Sequence, residues 1–254
     1  MSRRARISPD DHGRWVFNRL AADYAARPGY PAPLLGRLLA LAGGTGARVA
    51  DLGAGTGLLA VPLAAAGAEV WGVEPARGML DALEAQRSPV HPVHAAAEET
   101  GLPAGGFDLV VLADALQWVD PERGGREAGR LLAPGGALAV VTPLLADTPF
   151  LRALSGRLAA ANAKARPALP PVELFVSVAG LPPPVEERFE HEVLLEPDRL
   201  DAVLRSLSFA GPALGPVGLA ALLADARALA RAHGGAAWRR SVTLSWSRRR
   251  PEVR

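Results

Sequence analysis

Two spacings of apolar residues alternate along the chain, and together they predict most of its elements. Phe17, Leu20, Ala21 and Tyr24 recur with helical period in "FNRLAADYAA", which stops at "RPGYPAP", where Pro28 cannot continue a helix. "PLLGRLLALAG" reads as a second helix closed by Gly43 and Gly44. Short, continuously apolar runs then follow at "ARVADLG", "AEVWGVE", "FDLVVLADAL" and "ALAVVT", with a weaker one at "VHPVHAAAE". Helical stretches separate them: "GLLAVPLAAAG", "ARGMLDALEAQ" and "PERGGREAGRLLAPGG". Strands buried on both faces and joined by helices predict a parallel, doubly wound sheet.

After Pro143 the rhythm changes. "FLRALSGRLAAANAK", "PDRLDAVLRSLSFAG" and "GPVGLAALLADARALARAHGG" read as helices. "VEERFEHEVLLE" and "AWRRSVTLSWSRR" alternate apolar and polar residues, as half-exposed strands do. The expected fold is α/β: a Rossmann-like, doubly wound seven-stranded sheet, mostly parallel with an antiparallel C-terminal strand, plus an N-terminal helical cap. The expected division is a cap over 1–42, a core over 43–143 and a C-terminal part over 144–254 that completes the sheet and forms a substrate lid.

The chemistry concentrates where the first strand becomes a helix, in "VADLGAGTGLLA". Gly53, Gly55 and Gly57 permit a sharp turn and close approach of backbone to a ligand. A phosphate-cradling loop would end in Gly-Lys-Ser/Thr, and this one continues "GLLAV". The spacing alone does not separate it from a dinucleotide loop, but Asp51 would set a carboxylate against a pyrophosphate. Glu74, ending the second strand, is placed to accept hydrogen bonds from both hydroxyls of a ribose.

On these residues the chain resembles the class I S-adenosylmethionine-dependent methyltransferases, in their small-molecule, type 11 branch with the trans-aconitate and ubiquinone methyltransferases. "VADLGAGTG" is similar to the first motif of that family and "GVEPARGML" to the segment after it. "AAAEETGLPAGGFDLVVLADALQWVD" and "EAGRLLAPGGALAVVTP" are similar to the third and fourth blocks, and "YAARPGYP" to the cap. The likeness runs over roughly residues 17–142 in consistent order. It implies S-adenosyl-L-methionine as cofactor, S-adenosyl-L-homocysteine as product and a small-molecule acceptor of bacterial secondary metabolism. It also implies a set of binding residues. Gly53, Ala54, Gly55 and Gly57 would offer backbone, Asp51 would lie near the methionine ammonium group, and Glu74 and Pro75 would lie at the ribose. Met79, Ala97 and Glu98 would meet the adenine. Ala113 and Asp114 would flank the sulfonium, Trp118 would wall the site, and Tyr24 and Arg27 would reach the methionine carboxylate from the cap.

Two departures stand in "DALQW", where the family often has "QAFHW": Asp114 replaces an amide and Gln117 a histidine. Gln117 can orient an acceptor but cannot take its proton. Asp114, Tyr24, Gln117 and His12 are the catalytic candidates. Of the other histidines, His91 and His94 read as loop or edge residues, His191 as solvent-facing and His233 as a helix end. Trp15, Phe17, Tyr24 and Tyr30 from the cap and Phe150, Phe175 and Phe209 from the later lobe would wall the acceptor. The same fold also admits sulfonium chemistry without methyl transfer, such as intramolecular displacement or cyclisation.

Composition narrows the partners. The chain has no cysteine, so thiolate metal sites and disulfides are excluded, and no metal is expected. One lysine, Lys164, stands against 27 arginines, but these are scattered rather than striped, so no nucleic-acid partner is expected. No "DPPY" tetrapeptide follows the fourth strand, as base-methylating enzymes would require. Neither a membrane span nor a secretory leader is read from the apolar pattern, so the expected setting is cytoplasmic, without a membrane, as monomer or homodimer.

Overall fold

The computed structural model describes residues 16–162 and 171–250. In chain order the elements are α1 (Phe17–Tyr24), α2 (Ala32–Ala42), β1 (Arg48–Leu52), α3 (Ala60–Ala65), β2 (Glu69–Val73), α4 (Arg77–Ala85), β3 (His91–Val93) and β4 (Phe107–Ala113). A 3-10 turn, Leu116–Trp118, precedes α5 (Pro121–Leu131) and β5 (Leu132–Leu145). Then come α6 (Pro149–Ala161), α7 (Val172–Val178), β6 (Val185–Leu195), α8 (Pro197–Arg205), α9 (Gly215–Ala232) and β7 (Ala236–Arg248).

The seven strands form one sheet in the order β3-β2-β1-β4-β5-β7-β6. The first five are parallel, and β7 lies antiparallel between β5 and β6. The expected seven-stranded mixed sheet is therefore present. Its central strands are continuously apolar because both faces are covered: Leu109 and Val111 face α2, α3 and α4, while Val110 and Leu112 face α5 and α7. Each such Leu or Val contributes about 2 kcal/mol by leaving water. A third cluster, with Leu154, Leu200, Leu204 and Trp238 at its centre, joins α6, α8 and α9 to β7.

Three segments differ from the sequence reading. The helix expected from Gly57 onward begins only at Ala60, because the glycine loop runs on through turns to Leu59. β5 starts five residues early, taking in "LAPGG" with a register shift opposite Phe107. That irregularity needs Gly136, where a Cβ would lie 2.9 Å from the Phe107 carbonyl oxygen. Finally, α7 is a helix in a stretch where none was expected. It lies against α5, whose Gly129 backs onto the chain at Ala179 so closely that a Cβ would stand 2.5 Å from that carbonyl oxygen.

Candidate active site at the carboxyl ends of the strands

β1 delivers the glycine loop to the carboxyl edge of the sheet. Gly53, Gly55 and Gly57 have φ of 80°, 57° and 87°, a region that favours glycine. A Cβ on Gly53 would stand 2.7 Å from the Ala115 Cβ. The loop is pinned from behind, since the Gly53 and Ala54 amides donate to the Val73 carbonyl at 2.8 and 3.0 Å. Glu74, next along β2, accepts from the Gly55 amide at 2.9 Å and the Ala76 amide at 2.8 Å. The acid and the loop thus hold each other in place.

Asp51 lies beneath this loop, 1% exposed. Its Oδ2 has no hydrogen-bond partner among the described residues. Burial above all, and then the nearby Glu74 charge, push its pKa up to about 7, although a backbone hydrogen bond from Ala60 opposes them. A buried carboxylate with an orphaned oxygen is costly unless a donor or cation meets it.

Around the loop is a cavity of about 560 Å³, counted out to its open mouth. Of the residues singled out for the cofactor, Tyr24, Gly53, Gly55, Glu74, Pro75, Met79, Ala97, Asp114 and Trp118 line it. The cap closes one side. Tyr24 lies over the glycine loop, with its Cε1 3.6 Å from where a Gly55 Cβ would be. Phe17 meets Trp118 edge-on at 5.1 Å between ring centroids. Asn18 ties α1 to the start of α4 by accepting from the Gly78 amide at 2.8 Å. Phe17, Ala115 and Val119 complete the wall and were not among the expected cofactor contacts. The small residue at position 115 follows from the close approach of Gly53, which no single-sequence pattern displays.

The other expected residues stand outside this lining. Asp51 is below the loop, and Gly57 packs toward Leu83, whose Cδ1 would be 2.5 Å from an added Cβ. Ala54 packs inward toward Gly72, and Ala113 packs on the apolar core. Glu98 turns to accept from the Asp120 amide at 2.9 Å. Arg27 belongs to the neighbouring cavity. His12 and Trp15 lie outside the described residues.

That second cavity encloses about 1080 Å³, counted the same way, between the cap, α6, α8 and β7. Phe17, Tyr24, Trp118 and Asp114 line both cavities, so the two meet at these residues. Asp114 has φ 54°, unusual for a residue with a side chain, and the strained backbone turns it into the junction. Arg27 faces its Oδ2 at 3.4 Å, and the Gln117 amide donates to its backbone carbonyl at 2.9 Å and its Oδ1 at 3.3 Å. Burial raises the Asp114 pKa, with Arg27, the Gln117 hydrogen bond and Arg240 partly offsetting it. Gln117 therefore serves Asp114 as well as lining the cavity. Tyr24 carries Arg27 over its ring at 4.1 Å, yet burial outweighs that cation and raises the phenol's pKa, leaving it a donor rather than a base.

Of the expected acceptor aromatics, Phe17, Tyr24, Tyr30 and Phe209 line this second cavity. Phe150 and Phe175 do not: the first fills the core between α6 and β7, and the second is buried against α5. His191 is not turned to solvent as expected, since its Nδ1 lies 2.8 Å from Arg240 Nη2. His94 bonds the Pro75 carbonyl at 3.0 Å behind the first cavity. Among the described residues no group of acids and histidines could hold a metal ion, and no helix is long and apolar enough to cross a membrane.

Comparison with known proteins agrees with this geometry. Residues 50–140 match the family model of a methyltransferase domain. An uncharacterized methyltransferase of Mycobacterium tuberculosis is 42% identical over 115 residues, 45% of this chain and 46% of that protein. The match thus spans about half the length of such curated relatives. A solved structure from Anaeromyxobacter dehalogenans, described as a type II methyltransferase, superposes with a TM-score of 0.64 at 25% identity, covering 89% of this chain and 99% of that one. A phosphoethanolamine N-methyltransferase of Haemonchus contortus, solved with phosphomonomethylethanolamine and S-adenosylhomocysteine, shares the fold at TM-score 0.54 and 16% identity, covering 96% of this chain and 61% of that one. The glycine loop with its two acids and the strand order agree with the methyltransferase-domain model that residues 50–140 match.

Proposed function

We propose that this chain is an S-adenosylmethionine-dependent methyltransferase acting on a small molecule. In this reading the cofactor occupies the cavity over the glycine loop and the acceptor the larger one. The observation that carries the reading is the shared wall: Asp114, Tyr24, Phe17 and Trp118 border both cavities, so one bound molecule can meet the other there. The residues present fit the cofactor. Asp51 holds an orphaned oxygen suited to a cationic amine, and Glu74 is fixed as an acceptor at the ribose position. Met79 and Ala97 offer an apolar slot for a purine. The neighbour holding S-adenosylhomocysteine in the same fold supports this assignment.

When bound, the cofactor supplies an electrophilic methyl group and is released as S-adenosylhomocysteine once its carbon–sulfur bond breaks. The chain's own part is alignment and exclusion of water, which account for much of the acceleration in such a displacement. Phe17 and Trp118 close the junction. Arg27 and Gln117 fix the Asp114 carboxylate, and its raised pKa suits it to accept the proton an O–H or N–H nucleophile gives up as its new bond to carbon forms.

Calorimetry with S-adenosylmethionine and nucleoside analysis after incubation with candidate acceptors test the reading. Wild type should bind the cofactor, and Glu74→Ala should weaken binding about tenfold or more by removing a charge-assisted acceptor. Asp114→Asn, which tolerates the left-handed backbone, should keep the cofactor affinity and lose about a hundredfold in kcat. Absence of cofactor binding in the wild type would overturn the proposal. Methylthioadenosine, or a converted acceptor with the cofactor intact, would indicate displacement or cyclisation instead.

A further inference from the structure

The larger cavity is lined by two cations and one anion, and its second cation has no ion-pair partner among the described residues. Arg27 is taken up by Asp114 and by Ser206, whose Oγ and carbonyl it meets at 2.9 and 2.8 Å. Arg240, on β7, lines the same cavity and is only 9% exposed. Its Nη2 donates to the Gly29 carbonyl and to His191 Nδ1. Among the described residues its Nε has no hydrogen-bond partner and no carboxylate ion-pairs with it. Burial lowers the pKa of Arg240, and that of His191 is lowered by burial and by Arg240 itself, so the imidazole accepts from the guanidinium without adding charge. Tyr30, the ring under Arg240 at 5.9 Å, has its pKa pushed well up, chiefly by burial, and stays neutral.

The rest of the cavity is mostly apolar, with Leu58, Leu158, Leu207, Phe209 and Trp238 among its walls. A buried guanidinium in such walls is costly to hold without an anion. Resting on the assignment of this cavity to the acceptor, we propose that the acceptor is an apolar carboxylic acid whose carboxylate is anchored at Arg240. The charge excess is one, which matches a monoanion rather than a phosphate dianion, and with two of its five donors spent on Gly29 and His191 the guanidinium keeps three, enough for a two-point grip on a carboxylate. Arg240 lines only the larger cavity, not the junction. The carboxylate is therefore the handle, and a second nucleophilic group on the acceptor faces Asp114.

Octanoate and phenylacetate, each paired with its neutral amide, are suitable probes. Trp118 and Trp238 line the cavity, so quenching of tryptophan fluorescence reads binding, with calorimetry as the second measure. The wild type should bind at least one acid saturably, with its amide about tenfold weaker or worse, as loss of a charge-assisted hydrogen bond requires. Arg240→Gln should bring acid and amide to within about twofold while leaving S-adenosylmethionine affinity unchanged. The proposal is overturned if amides bind as well as acids, if neither acid binds the wild type, or if folded Arg240→Gln keeps the preference. The comparison of acid with amide in the wild type stands whether or not that variant folds. Tight inorganic phosphate binding that displaces both acids also overturns it. Failure of the wild type to bind S-adenosylmethionine would sink the methyltransferase reading alone, leaving the carboxylate preference to stand or fall separately.

Discussion

Burying Asp51 beneath the glycine loop ties this site's electrostatics to the stability of the whole chain. Its pKa is about 7 in the fold against 3.8 for the unperturbed group. Between those values the unfolded chain has already released a proton that the folded chain still holds, so stability falls as pH rises through the window and levels off above it. The difference in Tm between wild type and Asp51→Asn isolates this group. It should shift against the wild type as pH rises from about 4.5 to about 7.5, by an amount worth a few kcal/mol at most. A difference independent of pH would show that Asp51 is already ionised in the empty fold. At this scale the sequence was informative wherever a residue's chemistry needed a fixed spacing. The three glycines, Asp51 and Glu74 were legible for that reason. Arg240 was not: it sits beside Arg239 in an alternating strand, and only the packed sheet decides that one faces solvent and the other the cavity. Asp114 was legible as a departure from the family, but its left-handed backbone was not.

The parallel strands and their helices were readable as elements from apolar runs alone, because burial on both faces leaves no other pattern. α7 was not, being seven residues of mixed apolar character after a proline-rich stretch. Its partner explains both it and the odd composition of α5. Gly124, Gly125 and Gly129 would be poor choices for a helix on propensity, yet added Cβ atoms would lie 2.3 Å from Val119 Cγ1, 2.8 Å from the Phe175 carbonyl and 2.5 Å from the Ala179 carbonyl. The helix gives up intrinsic stability so that α7 can approach its backbone and bury Phe175 and Val176. Gly129→Val should therefore destabilise the protein by about 2–3 kcal/mol in urea unfolding, since the added atoms meet backbone rather than a yielding side chain. A change under about 0.5 kcal/mol would mean that α7 is free to shift outward.

Across the whole molecule, α1 is the element on which the two cavities depend together. It is tied to the smaller cavity's side by the Asn18–Gly78 hydrogen bond and by Leu20 packing with Met79. It reaches the larger cavity's side through Asp23, which accepts from Arg205 Nε at 2.9 Å, and the turn after it adds the Ala26 carbonyl, which accepts from Arg199 Nε at 2.9 Å. Cutting one tie at a time should separate their effects. Asn18→Ala should weaken S-adenosylmethionine binding about fivefold, the worth of one hydrogen bond, whereas Asp23→Asn should leave that affinity within about twofold and weaken acceptor binding. Equal losses of cofactor affinity in both variants would show that α1 moves as one rigid lid. The sequence showed that a cap existed but not which helix it would clasp, because contacts between residues nearly two hundred positions apart leave no periodic trace.

The place of β7 in the sheet sets an order on how the molecule can be made. Among the described strands β6 is hydrogen-bonded only to β7, and β7 is also what covers the outer edge of β5. During vectorial synthesis β6 emerges first and must wait, unpaired, beside a parallel sheet that still has an open margin. The residues lining the smaller cavity are all translated before that point, but Trp238 and Arg240 arrive with the closing strand. A nascent chain stalled just short of Ala236 would thus carry the glycine loop and both its acids while presenting two sticky strand margins to the ribosome's surroundings, with the larger cavity still lacking the wall that Trp238 and Arg240 supply.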